Sequence, residues 1–81
     1  MEHVVKVIAL NNYHLELWFN TGDHKLFDCT PYLNRGVFTA LKDLNFFMRV
    51  FIQDGTVCWP NRLDLSPETL FDKSVAIVNG T

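Results

Sequence analysis

A chain of 81 residues has room for one hydrophobic core and not for two. With 48% apolar residues, seven Phe and two Trp, that core needs no metal or disulfide staple, and the apolar surplus is a reason to expect self-association. A net charge of −2, with the seven Lys and Arg scattered, argues against a generic polyanion binder.

No apolar run approaches the ~18 residues of a membrane span, and the acidic opening Met1-Glu2-His3 is unlike an export signal. A cytosolic protein is expected, so Asn79-Gly80-Thr81 matches a glycosylation acceptor only formally. Cys29 and Cys58 lie far apart, without CxxC or Cys/His ligand spacing. They read as reduced thiols used as small apolar side chains.

His3 to Leu10 is β-branched with one charge, as in a strand buried on much of both faces. Asn11-Asn12 is read as a two-residue turn, because Asn tolerates positive φ. Tyr13, Leu15, Leu17 and Phe19 then alternate with His14, Glu16 and Trp18, the clearest half-buried strand in the chain. Asn20 to Asp23 turns again, and Lys25, Phe27 and Cys29 alternate with Leu26 and Asp28 in a third strand. Tight turns between three strands make an antiparallel meander.

Thr30-Pro31 predicts a capped helical turn, and Asn34-Arg35-Gly36 interrupts it. Val37, Phe38, Leu41 and Leu44 fall at helical spacing and should lay a short helix on the sheet. Met48 to Ile52 is expected as a fourth strand and Thr56 to Trp59 as a fifth, with Asp54-Gly55 between them as the strongest hairpin signal. Pro60 ends ladder pairing because it has no N–H. Ser66-Pro67-Glu68 has the form of a helix start, and Leu70 and Phe71 should pin that helix to the body. Val75 to Val78 predicts either a sixth strand or an arm that pairs with another chain. The fold class is therefore α+β in a single domain 1–81: an antiparallel sheet of about five strands followed by a short C-terminal helix.

Two joints share an apolar-Asp-x-[Ser/Thr]-Pro pattern: Phe27 to Pro31 and Leu63 to Pro67. Both Asp28 and Asp64 are expected to accept backbone N–H groups near a helix start. Paired, they could instead run acid/base chemistry, with Arg49 neutralising one of them. His14 and His24 read as solvated surface imidazoles; the short hairpin could make them cross-strand neighbours, with no third metal ligand indicated. No nucleophile motif surrounds Ser66 or Ser74, and no phosphate-cradling loop surrounds Gly22, Gly36 or Gly55. No catalytic, cofactor-binding or metal-binding residue is assigned. Trp18 and Trp59, near sheet edges or ends, suit core or interface packing better than base stacking.

The pattern Trp59-Pro60-Asn61-x-x-Asp64-Leu65-Ser66-Pro67-Glu68-x-Leu70 resembles the small bacterial proteins of domain of unknown function 2442. Tyr13-x-Leu15-x-Leu17-x-Phe19-x-x-Gly22, Phe27-Asp28, Gly36-x-Phe38-x-x-Leu41-x-Asp43 and Phe47-x-x-Val50 extend the likeness, over about residues 4–71. Arg62 stands where a smaller residue such as Gly is expected, and the tail 72–81 lies outside the usual family core. The resemblance implies an α+β fold without established activity. Some relatives carry a helix-turn-helix domain after this module, and others are encoded beside small toxin-like proteins. No helix-turn-helix is expected within these 81 residues, so DNA binding is not expected to carry over.

The expected function is a non-catalytic regulatory or protein-interaction module, possible partners being another protein, as for an antitoxin, or a second copy. The candidate partner-binding residues are Trp59, Asn61, Arg62, Asp64, Arg49 and Trp18. A nucleic-acid accessory protein using Trp18, Trp59, Arg35, Arg49 and Arg62 is the alternative, and a hydrolase using Asp28 and Asp64 the third reading.

Overall fold

The computed structural model describes residues 1–78, so the acceptor-like Asn79-Gly80-Thr81 lies outside the described residues. The fold is α+β, with two antiparallel sheets. The first has the order β1-β2-β3-β7, with β1 at Val4–Ala9, β2 at His14–Phe19, β3 at His24–Asp28 and β7 at Val75–Ala76. The second has the order β4-β5-β6, formed by Phe51–Gln53, Thr56–Trp59 and Leu63–Leu65.

The meander forms as its alternation predicts: Leu15, Leu17 and Phe19 of β2 are buried, while His14, Glu16 and Trp18 lie half-buried on the opposite face. Its first turn is longer than the two Asn suggest. Leu10 N–H donates to His14 O, and the left-handed φ of 66° falls on Tyr13 rather than on Asn. The reward is lateral packing. Tyr13 sets its ring edge against Phe47, with 5.4 Å between centroids, and its hydroxyl donates to the Lys42 carbonyl.

The predicted helix after Gly36 is tighter than an α-helix. Gly36–Lys42 is a 3-10 stretch that runs into a single α-turn, α1, at Leu44–Phe47. Asp43 caps that turn by accepting from Asn45 N–H. Leu41 and Phe47 reach the core, with Phe38 and Leu44 packed against it. Residues 48–50 complete the exit from α1 instead of extending the next strand, so β4 begins only at Phe51. Arg49 is therefore not on a strand face. It is exposed, with no ion pair within 4.0 Å among the described residues, and it does not neutralise Asp28 or Asp64.

Asp54-Gly55 closes the β4–β5 hairpin with φ of 54° and 74°, the mirror-image turn that its residues favour. This turn also ties the two sheets together, because Val4 N–H donates to Gly55 O at 2.8 Å. Helix α2, Pro67–Lys73, is capped by Ser66, whose hydroxyl accepts from Thr69 N–H. Buried Leu70 and the Phe71 ring, 5.0 Å edge-to-face from Phe19, hold α2 against the meander. Lys25 donates to the Phe71 carbonyl at 2.6 Å. Of the two readings of the tail, the structure takes the strand: β7 pairs with β3 through Leu26↔Val75 and Lys25↔Ala76.

Candidate functional site

Two hairpin turns and three short strands build the most distinctive surface. Directly opposed residues of antiparallel strands share a face. The pairs Phe51↔Cys58 and Cys58↔Asp64 thus set three side chains abreast on the outside of the second sheet. On its inner face Ile52, Val57, Trp59, Leu63 and Leu65 point toward the core. Asp54 of the hairpin turn and the Pro60–Arg62 loop line, with that outer row, an open cleft of about 320 Å³. Asp54, Arg62 and Asp64 all line it.

Trp59 is the anchor of this surface and not its contact. The residue is 1% exposed, its ring packs against Phe47, and its indole N–H donates to the Phe47 carbonyl at 2.8 Å. The hydrogen bond satisfies the one polar atom of a deeply buried ring. It also ties β5 to α1 directly before the loop begins.

Asn61 and Arg62 follow with φ of 69° and 63°, two consecutive left-handed residues. Asn adopts that conformation readily, but for Arg it costs about 1 kcal/mol. Smaller Gly would relax the backbone here; Arg62 instead carries that strain, with its side chain lining the cleft. Both residues are exposed.

The two Asp-x-[Ser/Thr]-Pro joints turn out to differ. Asp28 behaves as expected, accepting from Thr30 N–H at 2.9 Å and from the Thr30 hydroxyl at 2.7 Å, with His14 3.7 Å away. Burial pushes its carboxyl up, but the Thr30 bonds and His14 outweigh that and hold it below its ordinary 3.8. Asp64 does not cap. It sits mid-strand between buried Leu63 and Leu65, so alternation turns its carboxylate outward into the cleft, and Ser66 alone caps α2. Asp28 does not line the cleft that holds Asp64. The hydrolase reading required one cleft joining the two carboxylates.

Cys58 lies half-buried between the carboxylates, and burial first, then Asp64 and Asp54, push its thiol up. Buried Cys29 is pushed up to about 12 by burial and by Asp28. Both shifts favour the protonated thiol over the thiolate.

Trp18 lies elsewhere, on the outer face of the first sheet. Register places it between Lys6 of β1 and His24 of β3. The Lys6 ammonium lies 4.7 Å from its ring centroid, and the His24 ring stacks on it at 4.5 Å. The flanks of this indole are taken, which leaves no free platform for a nucleic-acid base. His24 in turn meets Glu16 at 2.6 Å. His14 and His24 are not cross-strand neighbours: His14 pairs with Asp28 and His24 with Trp18, at opposite ends of the hairpin. Arg35 is spent locally, over the Tyr32 ring at 5.0 Å.

Residues 4–76 match the family described as Protein of unknown function (DUF2442). The chain belongs to this family. The match takes in β1 through β7, and so reaches beyond Phe71 into the tail expected to lie outside the family core. No curated protein and no solved structure matches the chain. Among the described residues no helix is long and apolar enough to cross a membrane, and no group of three His, Cys, Asp or Glu could hold a metal ion.

Proposed function

We propose that this DUF2442 chain is a non-catalytic regulatory module of the bacterial cytosol that acts, like an antitoxin, by binding and masking a partner protein. The observation that carries the reading is the cleft of the second sheet. Asp54, Arg62 and Asp64 line it without an ion-pair or side-chain hydrogen-bond partner among the described residues, beside a phenyl ring that is 40% exposed. Charges left uncompensated around an exposed aromatic on a braced hairpin are suited to recognition, since a partner can satisfy all of them at once. Asn61, Arg62 and Asp64 supply the contacts, with Trp59 fixing their positions. Arg49 lies two residues before β4, and Trp18 belongs to a second surface on the first sheet.

That second surface supports a homodimer. Exposed Ile8 and Val75 lie in one cross-strand row with Glu16 and Leu26, beside Trp18. Self-complementary pairing of such a face needs no pocket.

Affinity capture from the native host, with bound protein and nucleic acid both identified, is expected to recover a partner protein. Recovery of no protein in repeated captures contradicts the reading. Recovery of nucleic acid alone replaces it with the accessory-protein reading.

A further inference from the structure

We infer that the cleft on the outer face of β4-β5-β6 is the seat for one basic side chain, Lys or Arg, presented by the partner protein. The inference rests on the interaction reading above and names the chemistry of the contact.

Size sets the first limit. A cleft of about 320 Å³ lies at the small end of ligand sites, large enough for one long side chain and too small for a helix. Chemistry sets the second. The floor holds the Phe51 ring, against which an aliphatic stem can lie, with Asp64 two strands across in the same row. Asp54 stands on the turn at the other side. Two carboxylates against the one guanidinium of Arg62 leave the cleft with a net single negative charge, so a cation is the complementary guest. Burial first, then Asp64 and Asp54, push the Cys58 thiol of that floor up, consistent with both carboxylates lying near it. A guanidinium or ammonium placed there gains charge-assisted hydrogen bonds and the face of Phe51. Arg62, at the loop, is left to donate to the partner's backbone carbonyls or to a neighbouring carboxylate.

The test is an NMR titration of the full chain with the capped peptide acetyl-Leu-Arg-Leu-amide, its citrulline counterpart, and agmatine. The expected result is that the arginine peptide shifts the amide signals of Phe51, Cys58 and Asp64. The citrulline peptide should bind at least about tenfold more weakly, as should the arginine peptide to an Asp54→Asn/Asp64→Asn variant. That variant is expected to fold, since Asp64 is exposed and Asn suits the φ of 54° at position 54. The seat is overturned if the arginine peptide does not bind at millimolar concentration, if citrulline binds equally, if the variant binds equally, or if the shifts fall on the first sheet. Agmatine binding as tightly as the peptide overturns the assignment to a protein side chain. A partner that native-host capture recovers equally with parent and variant sinks the seat and leaves the interaction reading standing, whereas capture of no partner sinks that reading itself.

Discussion

Arg62 holds a left-handed backbone at φ 63°, and the strain is paid for nowhere within the loop by a hydrogen bond of its side chain. Arg62→Gly should therefore raise the unfolding free energy by about 1 kcal/mol, read as a higher urea midpoint with unchanged slope. No gain in stability would remove the argument that the position is held for its charge. Asp28 gives a second prediction at this scale. Its pKa is depressed in the folded state, so its contribution is present above the ordinary 3.8 and is lost as pH falls through the lower folded value. Asp28→Asn should be less stable than the parent at neutral pH, and denaturation series should show that gap closing as the pH drops below about 3.8. The pattern Asp-x-[Ser/Thr]-Pro was legible, yet it could not say that one Asp caps while the other faces a cleft. The difference lies in pairing: Asp64 is held in a strand by Cys58, and Asp28 ends a strand beside Thr30.

Turns decide the elements. Asp54-Gly55 announces its hairpin because few residue pairs accept two positive φ values in succession. A Cβ at Gly55 would lie 2.9 Å from the His3 Cβ, on a backbone already at φ 74°. Gly55→Ala should thus cost about 2 kcal/mol or more and loosen the joint between the sheets, measured by chemical denaturation and by faster amide exchange at Val4. The first hairpin departs from its local pattern for the opposite reason. Two Asn satisfy the rule for a short turn, but the ring of Tyr13 finds Phe47 only from a longer one. The helix after Gly36 and the fate of Trp59 were also beyond local pattern. Both depend on where α1 lies, and the acceptor of the Trp59 indole is a carbonyl twelve residues away in sequence.

At the scale of the molecule, the meander, the hairpin and the C-terminal helix follow from alternation and punctuation, which act over a few residues. The division into two sheets does not, since it depends on contacts between residues far apart in sequence, such as the Val4–Gly55 hydrogen bond, and on a three-residue strand, Leu63–Leu65. The outer face of the first sheet, with Ile8 and Val75 exposed, predicts a dimer mass in light scattering at high protein concentration. A monomer mass there would refute the homodimer and leave the cleft untouched. The central claim is that the partner is bound at the second sheet. It is tested most directly by hydrogen exchange on the complex recovered from the native host. Protection confined to residues 51–64 is the predicted footprint; protection confined to the first sheet, with 51–64 exchanging as in the free protein, would contradict the account.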